Sequence, residues 1–408
     1  MVCGNGILEK SFILLGLGIT NKSVKRYFDR YNVKYIVYDE NKSTNIDSNT
    51  IIIKSPGINN DDEFLIKCRQ YNIKVISDIE LFYLLRSDIK IIGITGTVGK
   101  TTCVTLLYNI LKNKYKVEVA GNIGIPIFDY IDTIVDYLIV ELSSFQLEYI
   151  MYLKPKVFII LNIFPHHLNH HKTFNDYKNC KLKPCNNLNK EDYLLINESL
   201  IPYISDLKLI CNINTFSSSI NDVLLDDAMN INIGNINAVN NVSKYLSIDD
   251  NIIKIELSNF KGLEHRFETV YQNNNILIIN DSKSTSFISL EDAVNKVLKT
   301  KYLRKILIIG GKIDSLEIDE NIDFIKSLTA FEVYLYGENK DILNSIISNT
   351  GLVYNTLAEV INDINISDNL VVLFSPGAQS LDQYASYIER GNEFKSMINK
   401  KLNKLEVI

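Results

Sequence analysis

Short apolar runs punctuate the chain, and each closes on glycine, serine, asparagine or a carboxylate. They predict strands over residues 11–15, 35–38, 50–54, 91–92, 117–120, 137–140 and 157–161, and later over 276–279, 306–309, 333–336 and 370–374. Runs this uniformly apolar fit buried strands. Stretches with helical spacing lie between them, among them 103–111 and 175–182. One helix opens at Ser77, a good N-cap residue, and another opens within 235–239. From residue 263 strand and helix alternate cleanly, which implies a parallel sheet with right-handed crossovers. Residues 183–260 are rich in asparagine and parse poorly. The pattern divides into three α/β segments, 1–88, 89–262 and 263–408, with no internal repeat and no low-complexity linker.

Composition narrows the classes. The chain has 408 residues, 46% of them hydrophobic, ample for several cores. Its net charge is −5, which does not favour nucleic acid as a partner. Six cysteines are scattered without a C-x-x-C pair, as expected of a reducing compartment. No apolar run is as long as a membrane span, and residues 1–10 do not read as a signal peptide. A soluble cytoplasmic protein is expected.

The stretch from Gly93 to Thr102 carries the clearest chemistry. A glycine-rich turn between a buried strand and a helix aims backbone N–H groups at one point, and the helix N-terminus adds partial positive charge. In Gly96-Thr97-Val98-Gly99-Lys100-Thr101-Thr102, Lys100 would reach terminal phosphates and the Thr101 hydroxyl would sit on magnesium. The loop is a variant, since the common pattern has glycine where this chain has Ile94. Glu141 closes a buried strand of the same segment, where a magnesium ligand is needed.

Other motifs leave alternatives open. Gly16-Leu17-Gly18, with Asp39 after the second strand, is either a nucleotide-diphosphate site or a plain tight turn. Four of the five histidines crowd into 166–171. They form a transition-metal site, or a solvated loop, or one of them serves a magnesium–phosphate site and the rest are incidental. The third reading comes first, because the cluster follows a strand of the sheet that carries Glu141. On pattern alone Lys181 is a surface lysine. The strand ends at 280–285, 310–312 and 375–380 are polar, and a second substrate site is expected there.

Together these residues resemble the ATP-dependent Mur ligases of peptidoglycan synthesis. The resemblance rests on Gly16-Leu17-Gly18, Ser55-Pro56-Gly57, the loop from Gly93 to Thr102, Gly121-Asn122-Ile123-Gly124, Glu141 to Leu147, His265-Arg266-Phe267-Glu268, Asn280-Asp281-Ser282-Lys283 and Ser375 to Tyr387. The runs at 141–147 and 280–283 are closest to the members that add D-glutamate to UDP-N-acetylmuramoyl-L-alanine. The resemblance implies three domains: an N-terminal Rossmann-like one for the UDP substrate, a central P-loop mononucleotide-binding one, and a C-terminal Rossmann-like parallel sheet for the amino acid. Ile19, Thr20 and Asp39 would then face the uridine diphosphate, and Asn122, Ser143 and His167 the muramoyl-alanine end. Thr101 and Glu141 would hold one Mg2+. His167 and Lys181, at the position of the family's carbamylated lysine, would hold a second. Asn237, Arg266 and Asp281 match nucleotide contacts. Lys283, Thr285, Ser380 and Tyr387 match positions near D-glutamate or the transferred phosphate. The implied catalytic set is Lys100, Glu141, His167, Lys181 and Lys283, in a monomer that uses ATP and no membrane.

The chain departs from the family pattern at His166 and Asn169, where the family has Asp, and at Ser286, where it has Asn. Asp314 stands where the family has a basic residue, with Lys312 close by. Two other readings compete. One is a related ligase that takes another amino acid, and the other is a catalytically weakened nucleotide-binding protein.

Overall fold

The computed structural model describes residues 6–40, 46–47, 49–218, 233–313 and 315–405. Cys3 and Asp314 lie outside the described residues. The chain forms two compact units, Met1–Phe260 and Lys261–Ile408.

The first unit holds two parallel sheets. One has four strands in the order Tyr35–Val37, Ser11–Leu15, Thr50–Lys54, Lys74–Ile76. The other has six, in the order Asn212–Phe216, Tyr193–Asn197, Val157–Ile160, Ile91–Thr95, Tyr137–Glu141, Val117–Gly121. Alternation sends Ile92, Ile94, Ile139 and Ile159 to one face, where they pack with Val104, Leu107 and Leu111 of the helix Lys100–Leu111. Leu138, Val140, Phe158 and Ile160 face the other way. There they share a core with Phe12, Leu14 and Phe28 of the first sheet's layer, which is why two sheets make one compact unit. The helix Asp78–Leu85 joins the layers. Ser77 caps it by accepting from Glu80 N (3.3 Å), and buried Glu80 accepts from Tyr152 N and Leu153 N at 2.8 and 3.0 Å.

The second unit is a six-stranded sheet in the order Glu268–Gln272, Ile276–Asn280, Leu370–Phe374, Arg304–Gly310, Glu332–Tyr336, Leu352–Val353. Each face carries its own apolar core. The four expected strands pair in parallel, and a strand the sequence did not announce, Glu268–Gln272, runs antiparallel to Ile276–Asn280 at the edge. Its alternating sequence lacks the apolar run that marks the buried strands. The connecting turn is tied by Asn273 Oδ1, which accepts from Asn275 N and Ile276 N.

Two boundaries also move. The strand expected at 91–92 continues to Thr95, and the helix expected from 103 begins at Lys100. Gly93 lies within that strand because neighbours press on it: a Cβ there would come within 2.9 Å of Leu142 Cδ1. Among the described residues no helix is long and apolar enough to cross a membrane.

Candidate active site

The central strand Ile91–Thr95 delivers the chain into the glycine loop, and Gly99 turns it into the helix Lys100–Leu111. Gly99 has φ +85°, and a Cβ on it would meet Asn235 Oδ1 at 2.5 Å. Glycine is therefore required both for the left-handed backbone and for the close approach. The helix ladder starts at Cys103 N to Gly99 O (3.0 Å), so the amides ahead of it, through Thr102, are those that a helix N-terminus presents to an anion. Two loop amides are used otherwise. Thr97 N and Val98 N both donate to Asn162 Oδ1 at 3.0 Å, and Asn162 Nδ2 donates back to Val98 O. Lys100 Nζ lies over the loop, donating to Gly96 O (2.6 Å) and Thr97 O (2.9 Å).

Thr101 and Glu141 meet in a buried position, with Thr101 Oγ1 donating to Glu141 Oε2 at 2.7 Å. Asn122 Nδ2 holds the other oxygen, Oε1, at 2.9 Å. Adjacent strand ends bring the three together. A carboxylate fixed beside a hydroxyl supplies two hard oxygen donors, and that donor set fits Mg2+.

Lys181 overturns the surface position that its sequence pattern gives. It is 1% exposed on the helix Phe174–Leu182. Its Nζ donates to Gly96 O (2.9 Å) and lies 4.8 Å from the centre of the Tyr177 ring. Burial, followed by the charge of Lys100, pushes its pKa well below that of an ordinary lysine. Tyr177 OH in turn pairs with Thr97 Oγ1 at 3.0 Å, so the lysine and the glycine loop share one support.

The histidines separate into two groups. His167 has φ +55° and begins the short helix Leu168–His171, its ring on Phe145 and His166 (centroids 4.9 and 3.8 Å). Burial, then the charges of Lys100 and Lys181, pushes the pKa of His166 down to about 4. His170 and His171 also lie on Phe145 (centroids 4.5 and 5.6 Å) but have their own polar partners: His170 Nε2 lies 2.9 Å from Glu148 Oε2, and His171 Nε2 lies 2.9 Å from Ser144 Oγ. Ser143 caps the helix Ser144–Glu148 in a capping box with Gln146.

In the first sheet, Gly18 begins the helix Ile19–Arg30 and lies against Ser55, whose Oγ a Cβ on Gly18 would meet at 2.7 Å. Ile19 is exposed, and Thr20 Oγ1 is buried without a hydrogen-bond partner. Asp39 follows Tyr35–Val37 at the same carboxyl edge. Asn237 lies in the helix Ile233–Tyr245 and donates to Ser217 O at 2.8 Å.

The second unit gathers its polar residues at the carboxyl edge of its own sheet. Buried Asp281 accepts from Ser375 Oγ (2.7 Å) and Phe267 N (2.9 Å). Burial raises its pKa to about 6, against those hydrogen bonds and the charges of Lys296 and Arg266. Lys283 Nζ sits 4.9 Å from the Tyr387 ring centre, Thr285 is exposed and Ser380 is buried.

Sequence reasoning missed two supports. Asn162 was visible only as the polar end of a strand, yet it shapes the glycine loop. Arg390, fully buried, donates to Ser282 Oγ (3.1 Å), Ser282 O (2.7 Å) and Ala378 O (3.0 Å), and so fixes the backbone next to Lys283. No spacing announces such a residue.

Residues 94–262 match the Mur ligase middle domain family. A UDP-N-acetylmuramoylalanine--D-glutamate ligase of Buchnera aphidicola is 31% identical, over 95% of this chain and 98% of that protein. Its counterpart in Prochlorococcus marinus is 32% identical, over 86% and 82%. Among solved structures, a MurF ligase of Thermotoga maritima in complex with ADP superposes with a TM-score of 0.63 at 16% identity, covering 98% of this chain and 99% of that one. That likeness establishes the shared α/β architecture.

Proposed function

The chain belongs to the Mur ligase family, and from that premise we propose that it is an ATP-dependent ligase adding D-glutamate to UDP-N-acetylmuramoyl-L-alanine in peptidoglycan precursor synthesis. The near full-length similarity to D-glutamate ligases supports the substrate pair. The observation that carries the chemistry is the meeting of Thr101, Glu141 and Asn122 beside a phosphate loop onto which Lys100 and buried Lys181 both reach.

A carboxylate is a poor acyl donor because oxide would have to leave. Phosphorylation of the alanyl carboxylate by ATP gives an acyl phosphate, which the amine of D-glutamate attacks with release of phosphate. Lys100 and the helix N-terminus bind the transferring phosphoryl group and offset its charge. Two Mg2+ ions, when bound, would neutralise the phosphate oxygens. Thr101 and Glu141 would hold one, and His167 and a carbamylated Lys181 the other. The depressed pKa of Lys181 favours the free amine, the form that adds carbon dioxide. Asn122 orients Glu141, and Ser143 and His167 would face the muramoyl-alanine end. We assign 1–88 to the UDP moiety through Ile19, Thr20 and Asp39, 89–262 to ATP, and 263–408 to D-glutamate through Lys283, Thr285, Ser380 and Tyr387. Asn237, Arg266 and Asp281 would contact the nucleotide.

The test is phosphate release from ATP, in magnesium and bicarbonate, with UDP-N-acetylmuramoyl-L-alanine and D-glutamate, L-glutamate or D-aspartate. Release that requires both the nucleotide precursor and D-glutamate is expected. Release with another amino acid would keep the ligase and change its substrate, and no release with any of them would sink the assignment.

A further inference from the structure

The magnesium–phosphate reading of the histidine loop uses His167 and leaves the others without a role. Glu148 ends the helix Ser144–Glu148, and His170 and His171 end the helix Leu168–His171. One ligand atom from each of the three lies within 4.8 Å of the other two. They border a cavity of about 870 Å³ that is also lined by Asn60, Arg69 and Cys180.

We propose that Glu148, His170 and His171 form a site for one divalent transition metal of the zinc class, separate from the magnesium–phosphate site. Two imidazoles and one carboxylate make a borderline donor set that suits zinc, cobalt or nickel far better than magnesium. With metal–ligand bonds of about 2.0–2.2 Å, tetrahedral donors stand about 3.4 Å apart. The present spacing runs from 2.9 Å, between His170 Nε2 and Glu148 Oε2, to at most 4.8 Å, a range that includes that value.

The outer partners that such a site requires are in place. Asn60 Nδ2 donates to Glu148 Oε1 at 2.5 Å, and Asn60 Oδ1 accepts from Tyr149 OH at 2.7 Å. Ser144 Oγ lies 2.9 Å from Nε2 of His171 and Cys180 Sγ 3.8 Å from its Nδ1, so the metal takes one ring nitrogen from its present partner and leaves the other held. The cavity gives the ion an entry path and leaves a position for water. A metal here would pin the helix after Ser143 to the one that begins at His167.

The decisive experiment is cobalt titration of the chelator-treated full-length protein in excess Mg2+. One Co2+ per chain is expected, with visible d–d bands that Zn2+ abolishes, and Zn2+ should raise the melting temperature. His170→Ala should weaken binding at least about 100-fold, whereas His167→Ala should leave it intact. Glu148→Gln should also weaken it. If that variant fails to fold, His170→Ala still decides, checked to have the far-UV circular dichroism of the unsubstituted protein. Absence of cobalt bands in the unsubstituted protein would overturn the proposal. So would binding that survives His170→Ala or is lost in His167→Ala.

Discussion

Lys181 and Asp78 are buried ionisable side chains whose surroundings disfavour the charged form. For Lys181 the outcome is a reactive amine against Gly96 O. Lys181→Ala should therefore cut ligase turnover by at least about 100-fold, on the scale of a lost electrostatic group in an active site. Protein equilibrated with 13C-bicarbonate should show a carbamate resonance that Lys181→Met removes; a spectrum without it would exclude the carbamate. Asp78 sits at the start of its helix, 1% exposed, and burial raises its pKa from 3.8 to about 6. A carboxyl whose folded pKa is raised binds its proton more tightly in the folded state. Stability from this group is thus present below about pH 4 and lost as pH rises toward 6. Asp78→Asn should stabilise the protein by up to about 3 kcal/mol above pH 6 and by little near pH 4, as read by urea unfolding at the two pH values. Neither burial was legible in the sequence. A lysine in a polar helix and an aspartate after an N-cap both read as surface residues, and only long-range packing encloses them.

The helix Lys100–Leu111 is the element most fully specified by local sequence. Its glycine entry, its lysine and threonine at the first turn and its apolar face all point to one geometry. Gly99→Ala should weaken ATP binding at least about 10-fold and cost about 1–2 kcal/mol, because a non-glycine residue resists the left-handed backbone. The clash with Asn235 adds to this, so Asn235→Ala should recover part of the loss. Calorimetric ATP titration of the single and double variants checks both statements, and full recovery would refute the backbone argument. In contrast, the helix Asp78–Leu85 depends on a distant partner. Glu80→Ala leaves the buried amides of Tyr152 and Leu153 without an acceptor and should cost about 2–4 kcal/mol, measured by thermal and urea unfolding. The strand Glu268–Gln272 escaped the sequence pattern for a related reason. An edge strand with one wet side lacks the apolar run, and only its hairpin partner defines it.

At the scale of the whole chain, the two compact units each enclose their own apolar cores. Residues 1–260 and 261–408, expressed separately, should each melt cooperatively by circular dichroism, and a fragment without a transition would show that its core needs the rest of the chain. The apolar runs determined that the protein is α/β, because an unbroken run of Ile, Leu and Val is stable only when covered on both faces. Local spacing also located the glycine loop between its strand and helix, since that geometry resides in consecutive residues. Tertiary structure alone decided which distant side chains meet. It placed Glu141 against Thr101 and Asn122, brought Lys181 beneath the loop, set Asn162 and Arg390 as supports, and divided the histidines between two places. The physical reason is the range of the forces. Turn geometry and periodicity act over a few residues and are written in order along the chain. Burial, hydrogen-bond partnership and pKa depend on neighbours that only the closed sheets bring within a few ångströms.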